Sequence, residues 1–514
     1  MRKTLFVKNA AVLTVSSLIL RFLGIIFKVW LAKKIGAEGM GLYQLVFSLY
    51  IVAAAGIQSG LPVAVTRMVA EAGESSARFK SIMSKAFVLN FFVSVLTGGA
   101  LFFGARFLSR TVISDPRAAL SLKVLAFSVL FMGLSSVMRG FFIARRRAAP
   151  SAISQVLEQL FRIATVLLAV KFTAGKPLYI TCAAVFLGDT VAEILACLYL
   201  YIMYLREKHK THAPQKKGRG DLPRLFGISL PITAGKLLGN LLRAAENMVV
   251  PRALAVFSQK GALAMFGMIK GMALPVLFFP SALLGAVSTL LVPEMSEAAK
   301  TGKIVSVRYT VEDVLKAAAI GGFIFSAIFT AAGHKIGSVL YGSADVGFLI
   351  TALGPIVSLM YLDSLCDGLL KGLNQQNFTF RVAVIDSAGR LLAVFPVVSH
   401  FGVKGFIGIM YVSNLFTALL NTNRLIKISG AAPDAAKSTL TPLLTAFCTT
   451  LLVKLILDFF VLPDLVYIIL ISGASATIYA LLLYRFGCMN FWSVGRIRPH
   501  KKYESKTIIT SLIK

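Results

Sequence analysis

Apolar runs of about twenty residues recur along nearly the whole of this 514-residue chain, and no other feature narrows its fold as much. A run of that length with few charges crosses bilayer hydrocarbon as a helix, which bonds every backbone N–H and C=O within the segment. A soluble chain of this size would divide into several domains with more charge on their surfaces, yet only 15% of these residues are charged and 57% are hydrophobic. The fold expected is an all-α polytopic membrane protein with about 14 transmembrane helices. They are expected near 8–33, 41–68, 85–108, 118–143, 150–173, 178–205, 225–254, 263–293, 309–332, 346–371, 378–400, 403–426, 438–462 and 464–486.

The formal net charge of +32 raises the question of a nucleic-acid partner. The basic residues lie between apolar runs, where membrane topology places them, and no separate basic domain exists to hold a duplex. Arg2, Lys3 and Lys8, the triplet Arg145-Arg146-Arg147, the segment 206–224, Lys300, Lys303 and Arg308, Arg424 and Lys427, and the tail with Arg496, Arg498, Lys501 and Lys502 fall on one side. The opposite loops carry few, among them Lys176, Lys260 and Lys404. The bias puts the rich side and both termini in the cytoplasm of a multi-pass protein of the cytoplasmic membrane. The first run is too long for a signal-peptide core and is read as an uncleaved span. Cys182, Cys197, Cys366, Cys448 and Cys488 form no CxxC pair and are expected to be inert thiols.

An internal repeat organises the rest. Shifted by 215 residues, LRFLGIIFK (20–28) falls on GKLLGNLLR (235–243), so that Arg21 meets Lys236, Gly24 meets Gly239 and Lys28 meets Arg243. Farther along, residues 139–162 lie over 367–390, bringing Gly140 to Gly368, Glu158 to Asp386 and Arg162 to Arg390. TRMVAEA (66–72) also resembles VPEMSEA (292–298). Six spans are duplicated, and an even number of spans per unit makes the repeat parallel. The expected organisation is two pseudo-symmetric six-helix lobes plus two C-terminal helices. The lobes cover 1–205 and 225–427, joined by a basic cytoplasmic linker over 206–224; the last two spans lie in 438–487, and a basic tail covers 488–514.

Arg21 and Lys28 share one helix face, seven residues apart, and Lys236 and Arg243 repeat that face on span 7. Facing each other across the cavity between the lobes, the four would suit a large anion such as a phosphate or pyrophosphate. The alternative is that they snorkel to the interface or pair with carboxylates. Arg67, near the cytoplasmic end of span 2, is expected to anchor at the interface, with contact to an anionic headgroup as its alternative; Lys270 becomes a headgroup candidate only through the resemblance described below. Glu158 with Arg162 and Asp386 with Arg390, spaced i,i+4, read as structural ion pairs; Asp363 and Asp367, with Lys371 one turn further, read as an ion pair or as part of the transport pathway. Glu246 and Asp386 are the candidates for binding a coupling ion, Na⁺ or H⁺; no other cofactor and no metal spacing is evident. Glycines and prolines (Gly56, Gly60, Pro62; Pro231; Pro275, Pro280, Gly285) are expected to bend spans 2, 7 and 8.

LRFLG in span 1, GAEGMGLYQL (36–45), FPSALLGAVSTLLVPEMSEA (279–298) and the six-plus-six-plus-two layout resemble the MOP flippase superfamily, most of all its polysaccharide-transporter branch and there the stage V sporulation protein B-like group, related to MurJ-type lipid II flippases. The resemblance covers essentially the whole chain. It implies two lobes around a V-shaped cavity, alternating access, and movement of undecaprenyl-pyrophosphate-linked saccharides across the bacterial cytoplasmic membrane, as in peptidoglycan or spore-cortex synthesis. Cell-wall synthesis proteins become candidate partners. Arg21 matches a cavity-facing arginine of MurJ-type members. A second first-span arginine has no counterpart, since Phe27 stands there with Lys28 beside it. The span 8 arginine before the FPS motif is also missing, with Pro275 in its place and Lys270 the nearest cation. Spans 13 and 14 would line a groove for the lipid tail.

No covalent chemistry is called for, and no GxSxG or Walker loop appears; the chain is not expected to be an enzyme. Two other readings stay open. A cation-coupled multidrug antiporter of the same superfamily would present carboxylates, not four cations, to its cavity. A non-transporting scaffold for wall synthesis would tolerate neutral residues at Arg21 and Arg243.

Overall fold

The computed structural model describes residues 2–72, 76–209, 221–259 and 261–488. Among the described residues every regular element is helical: α1 (Arg2–Gln58), α2 (Gly60–Ala72), α3 (Ser76–Phe107), α4 (Ala118–Ala144), α5 (Ala148–Phe172), α6 (Leu178–His209), α7 (Asp221–Phe257), α8 (Ala262–Phe266), α9 (Leu274–Phe278), α10 (Ser281–Lys300), α11 (Ile304–Tyr341), α12 (Ala344–Leu353), α13 (Val357–Gly372), α14 (Gln376–Ser429), α15 (Thr441–Asp458) and α16 (Asp464–Arg485). Short π-helical segments precede α4, α9 and α15.

Eleven helical stretches are long and apolar enough to cross a bilayer, where fourteen spans were expected. The difference arises at three places. Val15–Ala72 and Gln376–Ser429 are single stretches of 58 and 54 residues, and at ~1.5 Å per residue each exceeds twice the ~30 Å of bilayer hydrocarbon. Each is broken by a glycine in a conformation that side chains resist: Gly36 at φ 71°, ψ −179° and Gly402 at φ 57°, ψ −136°. The third place is Ala262–Phe278, short of a full span because a π segment (Gly267–Ala273) and a turn at Phe279–Pro280 divide it from α10. The predicted bends in spans 2 and 8 are present, span 2 breaking at Ser59 between α1 and α2. α7 runs on through Pro231 and Pro251 as one helix; neighbouring helices let a membrane helix keep such prolines.

Helices neighbouring in the chain pack on one another within each half, and α1 and α2 also pack on α7. In the first, α3 packs on α4, and α6 on both α4 and α5; in the second, α11 packs on α12 and α13, and α14 on α13 and α7. α15 and α16 pack on each other and against α11. α6 reaches His209 and α7 starts at Asp221, so helices extend into both ends of the linker expected over 206–224. Its middle, and the tail beyond 488, lie outside the described residues.

Lipid tails are as apolar as the helices, so contact between helices depends on close packing over small residues. The lobes meet in this way at two places. A Cβ on Gly267 would lie 2.0 Å from the Ala37 carbonyl oxygen, and one on Gly41 2.2 Å from that of Leu263. The GAEGMG stretch after the α1 break therefore lies backbone to backbone on the α8–π segment. At the second place α2 meets α7, where a Cβ on Gly60 would sit 2.0 Å from the Ser229 carbonyl oxygen. There Arg224 also reaches Glu71 at 2.5 Å.

Candidate functional site

α1 and α7, the helices that carry the repeated cationic face, pack against each other. Asn247 of α7 donates to the Ser48 hydroxyl at 2.9 Å, which donates to the Gln44 carbonyl at 2.7 Å. Arg21, Lys236 and Arg243 are largely uncovered by protein and Lys28 is half-buried. None of the four lies within ion-pair distance of a carboxylate among the described residues, Arg243 included, although Glu246 follows it by one turn.

Lys270 and Arg67, which sequence reasoning grouped with those four, are placed differently. Lys270 lies on the π segment, 3.0 Å from Glu246 and over the Phe406 ring. Its carbonyl lacks a helical donor, since the Leu274 N–H bonds Ile269 and Pro275 has no N–H, and Gln44 of α1 donates to that oxygen at 3.3 Å. Arg67 is exposed and bound to Glu71 at 3.1 Å.

Glu246 and Asp386 belong to one buried cluster. Arg390 lies 3.2 Å from Asp386 and 3.4 Å from Glu246, and Ser413 donates to Asp386 at 2.6 Å. Two carboxylates and two cations thus neutralise one another across α7, the π segment and α14. The i,i+4 pairing of Asp386 with Arg390 is present, as is that of Asp367 with Lys371. Asp363 departs from the expectation of an ion pair: it accepts from Asn421 at 2.7 Å instead, because α14 presents that amide one helix away.

The equivalent cluster of the first lobe is larger than Glu158 and Arg162 alone. Glu158 lies 2.7 Å from Arg162 and 2.7 Å from Arg139 of α4, and Arg162 lies 2.8 Å from Asp189 of α6. Glu193, one turn beyond Asp189, is 4% exposed, and its Oε1 has no hydrogen-bond partner among the described residues. Arg139, Asp189 and Glu193 went unnoticed in the sequence. The signal was available for the acids, since two carboxylates i,i+4 inside an apolar run mark a buried polar face.

Comparison with known proteins agrees with this architecture. The profile of the family described as polysaccharide biosynthesis protein matches residues 6–299. Stage V sporulation protein B of Bacillus subtilis (strain 168) is 29% identical over 383 residues, covering 73% of this chain and 74% of its own length. The structure of the lipid II flippase MurJ in an inward closed conformation superposes with a TM-score of 0.71 at 13% identity, over 93% of this chain and 99% of that one. An inward-facing multidrug resistance MATE family transporter of the MOP superfamily gives 0.61 at 14% identity, over 81% and 98%. At these identities the structures share the fold.

Proposed function

Because the chain belongs to the polysaccharide biosynthesis protein family, we propose that it is a flippase for an undecaprenyl-pyrophosphate-linked saccharide, a lipid II-like precursor of cell wall or spore cortex. It transports and does not catalyse, moving the headgroup by alternating access while the lipid tail stays in the bilayer. It lies in the bacterial cytoplasmic membrane with both termini inside, as the lysine and arginine bias directs. Cell-wall synthesis proteins are its protein partners.

One observation carries the reading. Arg21, Lys28, Lys236 and Arg243 have no acidic partner among the described residues, whereas Lys270, Arg390, Arg139 and Arg162 are all neutralised. An unneutralised cation on a membrane span is costly unless it meets water or a ligand. Four of them, repeated with the same spacing on α1 and α7, suit a pyrophosphate, whose oxygens the arginine fork matches. The same sign of charge speaks against cationic drugs as cargo.

Coupling runs through Glu246. A proton taken up there would release both Lys270 and Arg390 from it, and the balanced cluster has no surplus negative charge to offer Na⁺. Such a change drives a switch only by favouring one state over the other. Lys270 supplies that difference, because its own backbone is held by Gln44 of α1 at the contact between the lobes.

The test is transbilayer movement of fluorescent undecaprenyl-pyrophosphate disaccharide in proteoliposomes. Arg21→Ala and Arg243→Ala should each slow it at least tenfold with insertion intact, and a cationic dye should not be moved. Dye movement would favour the multidrug antiporter; normal flipping by both variants would remove the cations from the mechanism.

A further inference from the structure

A cavity of about 660 Å³ opens at the end of the first arm of α1, beside the break at Gly36. It is lined by Trp30 and Lys34 just before the break at Gly36, by Leu167, Val170 and Lys171 at the end of α5, and by Lys176 in the turn to α6. That turn closes tightly, with the Lys176 N–H donating to the Thr173 carbonyl at 3.0 Å and Gly175 at φ 78°. Three ammonium groups line the cavity and no carboxylate does. None of the three lysines has an ion-pair partner among the described residues. The acid next in the chain, Glu38, is already taken, lying 2.8 Å from Arg117.

The position is that of a membrane boundary, where three spans begin or end. A tryptophan at this level is a common interfacial anchor. This is also the side of the molecule whose loops are otherwise poor in lysine and arginine, so three lysines around one cavity are not explained by topology. Part of the lining is apolar: Val170 is buried, Trp30 half-buried and Leu167 exposed. A group that is anionic at its head and hydrocarbon below matches both halves of the lining, and a free anion matches only one.

We propose that this cavity is a binding site for the phosphate headgroup of an anionic membrane lipid, held by Lys34, Lys171 and Lys176 with its first methylenes on Trp30 and Leu167. The site is separate from the cationic face of α1 and α7 and does not depend on what that face carries.

The experiment is native mass spectrometry of the full chain released from nanodiscs of phosphatidylglycerol or phosphatidylcholine. Wild type should retain a phosphatidylglycerol and no phosphatidylcholine. A lysine near a membrane surface is worth about fivefold in affinity, so Lys34→Gln/Lys171→Gln/Lys176→Gln should weaken retention roughly a hundredfold. Leu167→Trp fills the cavity without touching charge and should also abolish retention. Equal retention of the two lipids, or unchanged retention in the triple variant, would overturn the proposal. So would an effect of the lysines without one of Leu167→Trp, which would mean diffuse surface attraction and no cavity site. Displacement of the lipid by millimolar inorganic phosphate would overturn the lipid assignment in favour of a free anion. Thermal unfolding of each variant alongside separates lost binding from lost fold.

Discussion

Glu158 and Arg162 on α5 and Asp386 and Arg390 on α14 hold equivalent places in the repeat, yet the two lobes complete these pairs with different partners. The first draws in Arg139 of α4 and Asp189 of α6, all within its own lobe. The second reaches Glu246 of α7 and, through it, Lys270 on the π segment that lies against α1. One cluster ties three neighbouring helices together. The other includes Lys270, whose carbonyl accepts from Gln44 of α1 at the contact between lobes, where a change of charge can be felt by both. The same i,i+4 pair thus occurs twice, completed within neighbouring helices in one case and toward α1 in the other.

The sharpest way to break this comparison is Glu158→Ala, which leaves Arg139 and Arg162 buried without their shared carboxylate. Removing one partner of a buried pair costs ~3–5 kcal/mol, so thermal unfolding in detergent should show a greater loss than any other single substitution in either cluster. Glu193→Gln in the same lobe removes no ion pair and should cost under ~1 kcal/mol. Near-equal effects would mean that Glu158 does not anchor the cluster.

Glu246→Gln should cost about 3 kcal/mol and should also alter the spacing of the lobes, read as a changed distance between spin labels on α1 and α8. Glu246→Gln/Arg390→Gln restores the balance of charge and should recover at least half of that stability, a coupling expected of residues in direct contact. Glu158→Ala should leave the distance unchanged. A smaller step is Gly267→Ala, whose Cβ meets the Ala37 carbonyl oxygen. Overpacking of this kind costs ~1–3 kcal/mol and should push the lobes apart at that point. The smallest effect is expected at the exposed α2–α7 bridge, where Arg224→Gln should cost under ~1 kcal/mol in the same unfolding assay.

Much of this was written in the sequence, because apolar run length and the positions of lysine and arginine are set by the bilayer and not by tertiary detail. The all-helical, membrane-spanning class follows from run length, and the structure agrees; the division into lobes and the cationic face of α1 and α7 are expectations from the repeat. What could not be read was which cation meets which acid. Lys270 finds Glu246, 24 residues earlier in the chain, only because a π turn swings it toward α7. Asp363 meets Asn421 across a helix contact that no local spacing encodes. The breaks at Gly36 and Gly402 fall in the gaps expected between spans 8–33 and 41–68 and between 378–400 and 403–426; what the sequence did not show is that helix runs up to the glycine from both sides with almost no loop. Pro231 misled in the other direction, as α7 absorbs it without interruption.

The central claim is that the unpaired cations hold the anionic cargo while the paired ones hold the fold. It is tested most directly by the affinity of undecaprenyl pyrophosphate for Arg21→Gln/Arg243→Gln, measured beside the unfolding temperature of the same protein. The account predicts affinity reduced at least a hundredfold at ~1.4 kcal/mol per tenfold, with the unfolding temperature held. Unchanged affinity, or loss of affinity only in step with loss of fold, would contradict it.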